Sequence, residues 1–271
     1  MLTLYDADTR ELEKIQPGHR GELRVLAVAP ALADPDDPDV GLLRAWLLPD
    51  QLRRTAERGH LVPTVCEVTA PGEAGAGPLA AGIRAALNIH PPARIAPAGE
   101  PMARSAEFAG GGPPAFDVGT GQAGWLAGLD IVRYHAVPAG TVTAGPGGPR
   151  RWSEVTARGA DPLAVRLAFL GRRYRDDVEL TWDALTDADQ ALTAWRIAVA
   201  QWANSPSAAM PARYADAITA AFEDDLDTVT ALSQLHALAG DGDVSPGARF
   251  ETFAAADRLL GLDLARDIGR Y

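Results

Sequence analysis

Lysine is all but absent. Lys14 stands alone, so arginine carries nearly all of the positive charge, and chemistry that needs a cluster of ammonium groups is excluded. Cysteine is equally scarce: Cys66 has no second cysteine for an internal disulfide. No Cys or His pair lies at zinc-ligand spacing, so neither structural zinc nor another metal site is expected. No apolar run reaches the roughly 18 residues of a membrane span. The opening Met1 to Asp6 lacks the basic, hydrophobic and small-residue pattern of a signal peptide, so the expectation is a cytoplasmic protein with no membrane partner. The formal net charge of −11 repels phosphate backbones over most of the surface, which disfavours nucleic acid as a partner.

What is present suits an α/β body with a helical appendage: 271 residues, 47% of them hydrophobic, can bury one large core or two smaller ones. Residues 23 to 28 (LRVLAV) form a compact apolar run between Gly21 and Pro30 and read as a buried strand. Leu42 to Arg58 carries helical spacing and stops before Gly59, with Pro49 predicting a kink or a break into two helices. His60 to Val68 supplies the next strand, which makes a βαβ unit and a Rossmann-like opening. Residues 70 to 115 are crowded with Pro, Gly and Ala and read as loops around a short helix from Ala80 to Leu87. Two more strands, Ala115 to Val118 and Ile131 to Val137, are expected to close the sheet before the glycine-rich turn TAGPGGP at 143 to 149.

From Asp161 the period becomes helical. Leu163, Leu167 and Leu170 share one face, and Trp182, Leu185, Ala188, Leu192, Trp195, Val199 and Trp202 share another, spaced for core packing. Breaks at Asn204 to Pro211, Asp224 to Thr228 and Gly240 to Gly247 divide the remainder into about four helices. The division expected is a Rossmann-like parallel-sheet domain over 1–157 and a helical bundle over 158–271.

Several segments, in this order, resemble one family: LYDADTRELEKIQP at the start, DQLRRTAERGH at 50 to 60, the stretch from 158 to 196, and FEDDLDTVTAL at 222 to 232. The family is that of the class I cysteine-activating ligases, which includes cysteinyl-tRNA synthetase and the mycothiol cysteine ligase. The LTAWR stretch at 192 to 196, with no basic anticodon-binding extension, is similar to the mycothiol ligase branch. The resemblance implies a shortened class I catalytic fold, with ATP as a candidate cofactor. The family's enzymes attack the α-phosphate of ATP with an amino-acid carboxylate, and two motifs stabilise the charge that develops.

Both motifs are lost here. The stretch matching the histidine motif HIGH reads Asp39, Val40, Gly41 and Leu42, so an anion and an alkyl chain stand at the imidazole positions and Gly41 alone is kept. The lysine loop KMSKS is matched by TAGPGGPRR between Val142 and Trp152, where Arg150 and Arg151 are the only cations. A guanidinium does not replace an ammonium at a tight site, and the plain alternative for this pair is an exposed basic turn. The family's thiolate-binding zinc site is lost too: its first cysteine position falls at about Val28, and its paired histidines are replaced around Gly124 to Leu129. One missing preorganised donor costs about 3 kcal/mol of transition-state stabilisation, and Asp39 adds repulsion toward a triphosphate. Adenylate formation by the usual route is therefore not expected, and tRNA is not an expected partner.

Other patterns have bland readings beside sharp ones. Gly119, Gly121 and Gly124 spell GxGxxG after AFDV, but the ribose-binding acid expected about 20 residues on is missing. The resemblance reads these glycines as the floor beneath adenosine. The acids of DPDDPD would hold a divalent cation or, more simply, face water, with Asp39 capping the next helix. Cys66 and His135 read as structural residues. Three functions follow: a pseudoenzyme that binds a small molecule or a protein partner; a divergent ATP-dependent ligase with a changed substrate; or a structural subunit, as a homodimer or on an active paralogue.

Overall fold

The computed structural model describes residues 1–70, 75–96, 117–127 and 135–270. Strand β1 (Thr3–Tyr5) and β2 (Leu12–Lys14) form an antiparallel hairpin. The main sheet comprises β3 (Glu22–Ala29), β4 (Val62–Thr69), β5 (Arg94–Ile95), β6 (Val118–Gln122) and β7 (His135–Ala139), all parallel, in the spatial order β5-β4-β3-β6-β7. The order reverses direction between β3 and β6, so a ligand crevice is expected beyond their carboxyl ends. The α/β, Rossmann-like reading holds.

Strand β3 is central because it is apolar on both faces. Leu23, Val25 and Ala27 pack with Leu48, Leu52 and Ala56, whereas Leu26 and Val28 pack with Cys66 and Val68 on the other side. Leu48, Leu52 and Ala56 belong to helix α1 (Arg44–Arg58), which a 3-10 turn, Val40–Leu43, introduces. Of the kink or break expected at Pro49, the break is absent: α1 runs through it as one helix. The neighbours of Pro49 on both sides are buried, and Asp50 pairs with Arg54 one turn later, so packing outweighs the lost hydrogen bond.

Helix α2 (Ala81–Ala86) lies where the short helix was expected. The strand expected at Ala115 to Val118 begins instead at Val118 and takes in Gly119 and Gly121; residues 115 and 116 fall outside the described part. The strand expected from Ile131 is described only from His135 onward. The sheet does not end in the glycine-rich turn. Strand β8 (Val142–Ala144) leaves the main sheet and pairs in parallel with β9 (Val178–Leu180), a strand inside the segment read as helical.

After β6 comes the short α3 (Ala123–Ala127); then, beyond β8, α4 (Trp152–Ala157), α5 (Pro162–Leu170), α6 (Trp182–Trp202), α7 (Ala212–Glu223), α8 (Thr228–Gly240) and α9 (Pro246–Leu260) follow. The breaks lie where the sequence placed them. Asp161, Thr181, Asp227 and Ser245 each cap the helix that follows by accepting a backbone N–H. Leu163, Leu167, Leu170, Leu192, Trp195 and Val199 share one core with Phe222, Leu235 and Phe253. The Trp195 and Trp202 rings meet Phe253 edge-on at 5.8 and 5.2 Å, so these tryptophans are packing residues.

Candidate functional site

The loops that carry the candidate residues leave the carboxyl edge of the sheet. Strand β3 runs into the acidic loop and the 3-10 turn, β6 into α3, and β7 into β8 and the glycine-rich turn. The acidic loop is folded by its own carboxylates. Asp34 Oδ1 accepts the N–H groups of Asp36 and Asp37 at 3.1 and 3.2 Å, and Asp39 Oδ1 accepts that of Gly41 at 2.8 Å. The expected capping role of Asp39 is present. Asp37 reaches across to α4, accepting from Ser153 N at 2.8 Å and Ser153 Oγ at 3.1 Å.

The two motif positions, more than 100 residues apart, are joined edge to edge. Val40 N donates to the Arg150 carbonyl at 2.8 Å, and Trp152 N donates to the Pro38 carbonyl at 3.0 Å, so Asp39 and Arg151 face each other as bridge partners. Gly41 fits this corner because it has no side chain: a Cβ there would lie 2.5 Å from the Val142 carbonyl oxygen on β8. The structure thus brings Asp39, Gly41, Arg150 and Arg151 into one corner. Gly119 and Gly121 lie apart from this corner, within β6, beside Leu26 of β3 and Pro138 of β7. A Cβ on Gly121 would meet Val28 at 2.9 to 3.0 Å, so close strand approach requires glycine there.

The cations of the corner have unequal roles. Arg151 Nη1 donates to the Asp37 carbonyl at 2.7 Å, which holds its guanidinium against the loop. Glu154 accepts the Arg150 N–H at 2.8 Å, while the exposed Arg150 guanidinium makes no ion pair among the described residues. Asp34, Asp36, Asp37, Asp39 and Glu154 outnumber the two arginines, leaving the corner acidic. These residues do not fit a triphosphate clamp. Nor do they fit a thiolate-selecting zinc ion, since Val28 is a fully buried alkyl group inside β3. Part of the stretch from Gly124 to Leu129 lies outside the described residues.

Sequence reasoning missed Arg44, which ties the start of α1 to the loops that precede β8 and β9. It opens α1, yet its guanidinium turns inward to the carbonyls of Asp176 at 2.5 Å, Gly140 at 3.3 Å and Arg173 at 3.5 Å. Burial pulls its pKa down to about 10, against the raising influence of Asp176 and Asp177. A signal was present in the sequence: a cation in the first turn of a helix opposes the helix dipole, so it needs partners elsewhere.

No protein-family model matches the chain. Curated relatives do, each named as an L-cysteine:1D-myo-inositol 2-amino-2-deoxy-alpha-D-glucopyranoside ligase. The one from Thermobispora bispora is 44% identical over 108 residues, covering 39% of this chain and 25% of the relative. Those from Thermomonospora curvata and Cellulomonas flavigena are 40% and 41% identical over 117 and 115 residues, each match covering 41% of this chain and 27% of the relative. The matched stretch spans about a quarter of the length of these curated relatives. Over that stretch the chain is similar to the mycothiol cysteine ligases, which are cysteinyl-tRNA synthetase-like members of class I.

Proposed function

We propose that this chain is a catalytically silent relative of those ligases, a cytoplasmic protein that binds a small molecule or a protein partner on a retained class I fold without forming an aminoacyl adenylate. One observation carries the reading: where the imidazole and ammonium groups would meet a polyphosphate, the Asp39 carboxylate caps the helical turn and the Arg151 guanidinium is held by the Asp37 carbonyl. An anion placed there raises the energy of the charge that builds up on the leaving pyrophosphate. The purified chain is expected to show no amino-acid-dependent exchange of pyrophosphate into ATP with cysteine or any other amino acid. Robust exchange would overturn the reading.

The exposed Arg150 guanidinium, which makes no ion pair among the described residues, favours a second reading, a divergent ATP-dependent ligase in which this residue meets phosphate directly. Under it, a non-hydrolysable ATP analogue raises the melting temperature of the wild-type chain by mass action, and Arg150→Ala abolishes the rise. Such a shift together with pyrophosphate exchange separates this reading from the silent one.

A further inference from the structure

At the opposite, amino-terminal edge of the sheet, the β1–β2 hairpin docks on the start of β7, where Ala7 N donates to the Ala136 carbonyl at 2.9 Å. This contact gathers Asp6, from the hairpin turn, Glu13, from β2, and His135, the first residue of β7, so that one ligand atom from each lies within 4.8 Å of the others. The His135 and Asp6 side chains are more than nine-tenths buried, while Glu13 is half-exposed and closes the group from the solvent side.

The chemistry of the cluster is set by what each atom already bonds. His135 Nε2 lies 3.0 Å from the Leu4 carbonyl, which can only accept, so that nitrogen carries a hydrogen. The other ring nitrogen, Nδ1, then faces Asp6 Oδ2 at 3.1 Å and Glu13 Oε2 at 3.9 Å. Asp6 Oδ1 is fixed by accepting the N–H groups of Asp8 at 2.7 Å and Thr9 at 3.3 Å, which leaves Oδ2 for the histidine. One imidazole nitrogen and two carboxylates converge in a largely buried space, an arrangement that a cation held among them stabilises.

We propose that Asp6, Glu13 and His135 bind a first-row divalent metal ion of the zinc class. Metal–ligand bonds of about 2.0 to 2.2 Å place neighbouring ligand atoms about 3 to 3.5 Å apart, which the Asp6 and His135 atoms already satisfy and Glu13 reaches by a small side-chain rotation. One imidazole and two carboxylates suit such an ion better than calcium or magnesium, which favour oxygen alone. The bond from His135 Nε2 to a backbone carbonyl is the outer contact that orients a metal-binding imidazole. The ion would fasten the hairpin to the edge strand, so its binding is coupled to folding. This site is independent of the corner around Asp39.

Equilibrium dialysis of the chelator-stripped full chain against zinc chloride, followed by metal analysis and thermal unfolding, tests the proposal. One zinc per chain is expected, with a melting-temperature rise of about 5 °C at a free zinc concentration a hundredfold above the dissociation constant. His135→Ala and Glu13→Gln are each expected to weaken binding at least tenfold. The half-exposed Glu13→Gln replacement keeps the fold if loss of the Leu4 contact unfolds the histidine variant. No bound zinc in the wild-type chain overturns the proposal. So does zinc binding that persists unchanged in Glu13→Gln, because the ion would then sit elsewhere.

Discussion

Asp50 is the residue on which the most buried charge depends. Its Oδ2 accepts from Arg54 Nε at 2.8 Å and Arg166 Nη2 at 2.7 Å, and its Oδ1 accepts from the His90 backbone N–H at 2.9 Å and lies 2.7 Å from His90 Nδ1. Burial opposes its ionisation, but the charge of Arg166, the His90 hydrogen bond and Arg54 outweigh burial and hold the carboxyl far below the usual carboxylate range. Asp50→Asn leaves the fully buried Arg166 without its counter-charge and is expected to cost about 3 to 5 kcal/mol, read from urea denaturation. The pH dependence has a defined sign. With the native pKa depressed, the stabilisation from Asp50 is complete above its unfolded pKa of about 3.9 and is lost as pH falls below that value. Asp161, also depressed despite its partial burial, because it accepts from Leu163, Arg196 and Arg266, acts in the same direction. Asp257 acts the other way, since burial raises its pKa and its ionisation above pH 4 opposes the fold. The urea midpoint should therefore fall between pH 4 and pH 2 in the wild-type chain, and fall less steeply in Asp50→Asn.

Whole elements were legible where one physical signal dominated. Strand β3 announces itself through a double-faced apolar run, and the helices after residue 160 through their caps and 3.6-residue period. Strand β9 was hidden because three residues, VEL, carry no period, and only pairing with β8 defines them. The shift of β6 has a similar origin: Gly119 and Gly121 have low strand propensity, and neighbours β3 and β7 hold them extended. At the candidate corner, the residue types were readable but their joining was not, since the bridge between Asp39 and Arg151 depends on tertiary docking. Gly41 tests that docking at the level of the element. Because a Cβ would press on a backbone carbonyl that cannot rotate away, Gly41→Ala should force the 3-10 turn off β8 and lower stability by about 1 to 3 kcal/mol, measured as a drop in urea midpoint.

At the scale of the molecule, the boundary proposed near residue 157 is crossed by a buried polar latch. The end of α9 is held by arginines from three helices: Arg54 of α1 donates to the Arg258 carbonyl at 3.3 Å, Arg166 of α5 to Leu260 at 2.6 Å, and Arg196 of α6 to Leu262 at 2.7 Å. Gln51 adds a bond to Leu259 at 3.0 Å and Asn88 one to Gly261 at 3.1 Å. Cations at a helix carboxyl end complement its dipole and satisfy carbonyls that have no partner within the helix. The apolar core crosses the same boundary, since Val40, Leu43 and Trp46 pack with Val165, Phe169 and Leu185. Opening either half alone would strand Arg54 and Arg166 between a lost carbonyl set and a buried carboxylate, a cost that couples the halves. The two halves should therefore unfold together. Hydrogen exchange followed by mass spectrometry across a denaturant series should give one midpoint for peptides from β3 and from α8. A lower midpoint for α8 would show that the helical half opens by itself and that the latch does not set cooperativity.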